Sequence, residues 1–420
     1  MIRATNVYLH DDLVGELRSD RDKGLSFKYD DRYVREKGPP LSLSMPLRLE
    51  YSYRSEAEAY FGGLLAHGAQ RLALALELNV SPSDDLSLLR ELGLDCVGAI
   101  KVMDDRQESR MQFKQLTQNA LDSLIDSNTG LQTWLLTTEN VRSVIKESGS
   151  SATLTLVNGN YYLPLHGAPS NAILRPNNVN TISPVNRYAS ALLAKRLGLN
   201  VPNMTLLRTA EGAATIEERH DRCWHKGAIE PLHVEDFSQS LTKNPKQQFE
   251  YDGGAGFVEC IEHIHDHFLI PARDIDQFIK IFLFNALIGN FENCARSYHI
   301  VLDDDGPRLS SYSDLACSKL NRQSIDRLGM SVNGRFKISQ IVKDDWLHMA
   351  KSAGLSGTGL VNQLQEMART ILEELPYLFN TPEFEMELQF QQDYTEAVRD
   401  NIKQLFHLED LDGSIEYQTG

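Results

Sequence analysis

The chain opens with short runs in which apolar and polar residues alternate. Residues 2–9 (IRATNVYL), 13–17 and 24–29 (GLSFKY) alternate between turn-formers, which predicts a meander of short strands. Gly38-Pro39-Pro40 breaks the run, and residues 41–49 (LSLSMPLRL) alternate again, predicting a further extended stretch. From Ser55 the spacing lengthens to that of a helix. Tyr60, Phe61, Leu64 and Leu65 form one stripe, and Leu72, Leu76 and Leu78 lie on a second helical segment. Ser83-Asp84-Asp85 offers a cap to a helix carrying Leu86, Leu88, Leu89 and Leu92, which Gly93 ends. Together these patterns predict a structural domain of strands and helices without catalytic duty.

Residues 104–150 are polar, rich in Gln, Ser and Asp, with short helices predicted at 116–125 and 140–145; a domain boundary falls here. Strand patterns return at 152–157, 161–165, 172–175, 205–208 and 214–218, interrupted by one helix at 184–197 that Gly198 caps. Beyond about residue 230 the spacing is almost wholly helical, with 278–287 strongly apolar and 344–353 and 360–375 amphipathic. A small mixed sheet with one helix, followed by a helical lobe, is how a protein-kinase-like fold reads, and how many other α/β enzymes read.

At 420 residues, with 41% hydrophobic and 24% charged, the chain has the balance of a folded protein of two or three packed units. No apolar run approaches the roughly 18–20 residues of a membrane span, and MIRATNVYLHDD has no apolar core of a secretory signal. Cys96, Cys223, Cys260, Cys294 and Cys317 are odd in number, lie far apart and form no C-x-x-C pair. Neither a disulfide framework nor a zinc knuckle is suggested, and a reducing cytoplasm is expected. The net charge of −16 argues against direct contact with duplex DNA, unless a bound partner supplies the basic face. His263, His265 and His267 would face one way on a strand and could hold zinc. The surrounding pattern is helical, where residues two apart diverge.

Several stretches together resemble the HipA toxin family. They are 40–46 (PLSLSMP), 61–65 (FGGLL), 88–100 (LLRELGLDCVGAI), 161–176 (YYLPLHGAPSNAILRP), 186–202, 218–222 (ERHDR), 233–239 (HVEDFSQ), 284–290 (FNALIGN) and 312–318 (YSDLACS). The matches keep the family's order from residue 1 to about 400. The resemblance implies an α/β (α+β) fold: an N-terminal β-rich domain packed on a two-lobed protein-kinase-like fold. It divides the chain into 1–105, the β-rich domain; 106–150, a linker and the start of the kinase-like part; 151–230, the sheet-bearing lobe; and 231–420, the helical lobe. It also implies a serine/threonine kinase toxin using ATP and Mg²⁺, with an aminoacyl-tRNA synthetase as protein substrate. Its partner would be a small HipB-like helix-turn-helix antitoxin, through which alone DNA is met.

Phosphoryl transfer needs a phosphate cradle, a cation on the phosphates, a metal site and an oriented nucleophile. At the position of the family's cradle stand Ser148, Gly149, Ser150 and Ser151, which read either as an anion-binding nest or as a plain turn; the family's autophosphorylated serine falls among these. The family's phosphate-binding Lys is Arg175, whose planar fork is no equivalent of a compact ammonium. Its partner carboxylate aligns with Arg187, so that two like charges replace an ion pair. Glu292 stands at the catalytic Asp, one methylene longer, and Ser297 at a metal-binding Asn. Cys294 and Arg296 stand at the loop's His and Lys. Asp314 aligns with the metal-binding aspartate. Glu218, His220 and Asp221 align with the stretch that carries the adenine site, His220 standing where the family has Phe. Loss of the family's cradle, its Lys–carboxylate pair, its catalytic Asp and its metal-binding Asn in one chain points to a pseudokinase that works by association, ATP and Mg²⁺ having lost their usual ligands. The alternative is an active kinase that uses Glu292 and Arg175 as substitutes.

Overall fold

The predicted meander forms. In the computed structural model, which describes residues 3–20, 24–104, 111–126, 131–143, 151–177, 182–321 and 326–408, β1 (Arg3–Leu9), β2 (Asp12–Asp20) and β3 (Gly24–Tyr29) pair antiparallel in succession. β4 (Ile100–Met103) adds to the other edge of β1, giving the order β3-β2-β1-β4. Alternate residues of these strands, including Val7, Leu9, Val14, Leu17 and Phe27, enter one core with Tyr60, Phe61, Leu64, Leu86 and Leu89. The last five belong to the helix Arg54–Gly63, its cap, and the helix Asp85–Leu92. Each such large apolar side chain contributes about 1.5–3 kcal/mol on burial. The Asp84 carboxylate accepts the Ser87 N–H at 3.2 Å, and Gly93 ends the helix, as the sequence implies.

Two expectations fail here. Residues 41–49 form no strand, only an isolated bridge between Ser42 and Met45. Pro40 and Pro46 remove backbone donors, and the Tyr29 hydroxyl does the anchoring instead. It accepts the Leu41 N–H at 2.9 Å and donates to the Met45 carbonyl at 2.6 Å. The helix Gly68–Glu77 exists, but Leu72 (57%) and Leu76 (82%) are exposed, while Leu74 and Ala75 are buried. Leu72-Ala73-Leu74-Ala75-Leu76 is apolar on every face, so spacing alone does not choose which face packs.

A second sheet has the order β5-β7-β6-β8-β10-β9, with β5 (Gln112–Gln115), β6 (Ala152–Val157), β7 (Asn160–Leu165), β8 (Ala172–Pro176), β9 (Met204–Arg208) and β10 (Ala213–Glu218). The pairs β5–β7, β6–β7, β6–β8 and β8–β10 are antiparallel. One face packs Leu154, Leu163, Leu174 and Ile216 against Leu121, Leu124, Leu131 and Leu135. Those four lie on the helices Gln118–Ile125 and Leu131–Glu139. β5 and the second of these helices were hidden in the polar stretch. The helix expected at 140–145 is not formed over 140–143, and its remainder lies outside the described residues. A hairpin of β11 (Arg222–His225) and β12 (Ala228–Pro231), then β13 (Val234–Asp236), extends strand structure past residue 230.

By its internal contacts the chain divides into two units. Met1–Asn180, Leu207–Lys246 and Ile300–Gly306 make one; Thr181–Leu206, Gln247–His299 and Pro307–Gly420 make the other. The second unit is built on Pro184–Arg196, Phe257–His267, Pro271–Ile288, Lys343–Ser352, Gly357–Leu378 and Leu388–Phe406. Pro271–Ile288 is its central helix, burying Phe278, Ile281, Phe282, Phe284 and Leu287. The Phe282 ring lies 4.7 Å from that of Phe257, and the Phe278 ring 4.6 Å from that of Tyr298. Among the described residues no helix is long and apolar enough to cross a membrane.

Candidate functional site

The face of the second sheet away from its apolar core is polar and yet buried. Side chains alternate along a strand, so Thr153 of β6, Arg175 of β8, and Thr215 and Glu217 of β10 share it. Thr215 is opposite Arg175 and Glu217 is opposite Ile173, which brings the Glu217 carboxylate diagonally within reach of Arg175. The two form a buried ion pair, with side chains 6% and 3% exposed. Ser151 is buried at the entry to β6, whereas Ser148, Gly149 and Ser150 lie outside the described residues.

The ERHDR stretch follows β10. Glu218 is exposed and His220 half-buried, but Asp221 is buried and its carboxylate is fully engaged. One oxygen accepts from Arg219 Nε at 2.9 Å. The other accepts from Arg219, from Arg222 and from the Gly98 N–H, each at 2.7 Å. The same two guanidiniums reach Asp95, at 3.1 Å and 2.7 Å, and Ser170 donates to Asp95 at 2.6 Å. Burial alone would raise the Asp221 carboxyl; the neighbouring Arg219 and Arg222 overcome it and hold the group well below its ordinary range. Here the Asp221 side chain ties residues 95–98 to the second sheet. Asp95 and Ser170 were not singled out beforehand, although each sits inside a stretch that carried the resemblance.

In the second unit, Gly289 ends the central helix in the left-handed region (φ 74°) and turns the chain into the loop that carries Glu292. Asn290 donates from Nδ2 to Asn285 Oδ1 at 2.8 Å and to the Asp314 carbonyl at 3.1 Å. The Ser318 hydroxyl accepts the Phe291 N–H at 2.7 Å. These bonds join the loop to the segment bearing Asp314, a non-glycine residue itself held at φ 69°. Arg187, on the first turn of Pro184–Arg196, donates to Asp314 Oδ1 at 2.9 Å. Glu292 keeps an exposed surface, yet the protein around its carboxyl raises its pKa; Asp314 adds to the rise and Arg187 opposes it. Ser297 lies on a short 3₁₀ turn, its hydroxyl 3.9 Å from Cys294 Sγ. Glu292, Asp314 and Arg187 thus form one cluster.

The like charges expected at Arg175 and Arg187 are each answered separately, by Glu217 and by Asp314. Glu217 was missed; its signal is the alternation of Thr215 and Glu217 with Ala214 and Ile216. The arrangement around Asp314 in the second unit does not offer the usual ligands of a Mg²⁺ ion. The carboxylate offered to a metal already accepts from a guanidinium, and Ser297 replaces an amide oxygen. Among the described residues no group of three His, Cys, Asp or Glu side chains could hold a metal ion. The histidines of EHIHDH lie on a helix, as expected, with the His263 and His267 rings 4.3 Å apart and His265 beside Asp266.

The HipA N-terminal domain matches residues 5–103. The HipA-like C-terminal domain matches residues 136–375, more than half of the chain. The chain belongs to the HipA family. The chain is 28% identical over 396 residues to the putative kinase Y4mE of Sinorhizobium fredii, covering 90% of this chain and 94% of that one. The serine/threonine-protein kinase toxin HipA of Shewanella oneidensis is 22% identical, with 87% of each chain covered. A solved structure from Shewanella oneidensis, of HipA with HipB and its operator DNA, superposes with a TM-score of 0.82 at 20% identity, covering 96% of this chain and 98% of that one. The fold class expected from the sequence is therefore the one observed: a β-rich HipA N-terminal domain followed by the HipA kinase-like fold.

Proposed function

We propose that this HipA-family chain is the kinase-fold component of a type II toxin–antitoxin system and acts as a pseudokinase, through protein partners. The Arg187–Asp314 ion pair carries this reading. Phosphoryl transfer requires a metal held at the acid and a cation on the phosphates, and here the acid's charge is already met from within the chain. Arg175 and Asp221 are likewise committed to buried partners. The expected partner is a HipB-like helix-turn-helix antitoxin, as in the Shewanella complex. With a net charge of −16, the chain would meet DNA through that partner. Calorimetry with Mg²⁺–ATP tests the central claim: no heat and no thermal shift at millimolar nucleotide are expected. Binding followed by transfer of labelled phosphate to protein would overturn it.

A second reading has one observation in its favour. Burial raises the Glu292 carboxyl and the Asp314 charge adds to the rise, which makes it a stronger acceptor for a hydroxyl proton than an ordinary carboxylate. An active kinase of this kind, acting on a protein such as an aminoacyl-tRNA synthetase, would lose its toxicity on Asp314→Ala; a pseudokinase would not.

A further inference from the structure

Asp314 is placed by bonds that do not involve Arg187. Its carbonyl accepts from Asn290, which is anchored in turn to Asn285, and the Ser318 hydroxyl pins the adjoining loop at the Phe291 N–H. Arg187 is delivered to it with equal definition. The preceding residue, Asn186, clamps the same segment with two bonds: Nδ2 to the Cys317 carbonyl and the Cys317 N–H to Oδ1, both at 2.9 Å. Asn186 is buried, and the Ser183 hydroxyl caps the first turn of the helix that carries both residues. The ion pair is thus the meeting of two groups that are each held by bonds other than their own, with Glu292 close enough to interact with both charges.

We infer that Arg187 is a built-in substitute for a divalent cation: its guanidinium fills the position beside Asp314 and Glu292, and thereby excludes a metal ion. A hard cation such as Mg²⁺ needs near-octahedral oxygen ligands at about 2.0–2.1 Å. The guanidinium donates to the same Asp314 oxygen at 2.9 Å and adds a positive charge that repels the ion. This deepens the pseudokinase reading by giving its cause: a residue gained at 187, as much as ligands lost elsewhere. It also has a consequence that mere decay lacks. Removing one side chain opens a cation site, because both acids stay where the loops hold them.

The test uses the full chain and Mn²⁺ alone, following the signal of free Mn²⁺ by electron paramagnetic resonance. Wild type, Arg187→Lys, Arg187→Gln, Arg187→Ala and Arg187→Gln/Asp314→Asn are compared after circular dichroism shows which are folded. The Gln or Ala variant, whichever folds, is expected to bind Mn²⁺ about tenfold or more tighter than wild type. The Lys variant, still cationic, should show little gain, and the double variant none. Wild-type binding as tight as that of the neutral variants, or no gain in a folded neutral variant, overturns the inference. No nucleotide is present, so that outcome is separate from the calorimetric failure that would sink the pseudokinase reading.

Discussion

Arg175 and Glu217 show how a single exchange carries its partner with it. A guanidinium on a buried sheet face is tolerable only with a carboxylate against it, and Glu217 supplies one from a diagonal position. Breaking such a pair from one side typically costs about 3–5 kcal/mol, whereas replacing both members by apolar residues is often close to neutral. Glu217→Ala is therefore expected to lower the thermal midpoint by several degrees, and Arg175→Met/Glu217→Leu to recover most of the loss. Equal midpoints for the single and double variants would show that the pair is not coupled. Motif alignment brought out Arg175 but not Glu217, because a carboxylate made necessary by a neighbour's charge belongs to no motif.

Among elements, those with one clearly apolar face were legible from the sequence and those without were not. The helix Asp85–Leu92 has a cap, a stripe and a terminal glycine that agree. The helix Gly68–Glu77 has leucines all round, and its packing face is decided by what lies beside it. Leu74→Ala should accordingly cost about 2–5 kcal/mol in a denaturation series, while Leu76→Lys should stay within about 0.5 kcal/mol. How the 40–46 segment is anchored is not legible for another reason: its side-chain bonds are made to residues distant in sequence. Glu235 of β13 accepts from Ser42 at 2.5 Å and from the Leu43 N–H at 2.9 Å, and His233 meets the Leu41 carbonyl at 2.9 Å. Burial pushes the Glu235 carboxyl up to about 7 against the bonds from Ser42 and Leu43, and pushes His233 down to about 4. A carboxyl raised on folding stabilises fully below its unfolded value, roughly 4.3, and that contribution fades as pH rises through 7. His233, lowered on folding, does the reverse: its contribution is complete above roughly 6.5 and fades as pH falls towards 4. The two oppose each other between those limits, leaving Glu235 alone to act near neutrality. Glu235→Gln should therefore raise the thermal midpoint over wild type at pH 7.5 and leave it little changed at pH 4.5; a parallel offset at both would refute the linkage.

At the scale of the molecule, the resemblance reached both domains and the order of every motif, since each motif is a local run. What the resemblance did not reach is how the runs are cross-tied. Arg219 and Arg222 each bind both Asp95 and Asp221, so residues 95–98 and the second sheet share one buried network. Asp95→Asn keeps the shape but removes a charge. It is expected to speed proteolysis within residues 3–103 more than within Pro271–Ile288, as mapped by mass spectrometry of timed digests; equal acceleration in both would argue against a local tie.

The division of the chain has a bearing on how it is made. The first unit is assembled from three stretches, the last only seven residues long, and that stretch is separated from the others by residues 247–299 of the second, which include its helices Phe257–His267 and Pro271–Ile288. Within it the Leu302 N–H donates to the His233 carbonyl at 2.8 Å, next to the strand that holds Ser42 and Leu43. A ribosome adding about 5–20 residues per second delivers the opening domain long before Leu302 leaves the exit tunnel. During that interval the edge at His233 awaits its mate while the second unit is already being born, so the two units mature as interleaved strands of one synthesis and no single cut in the gene can part them.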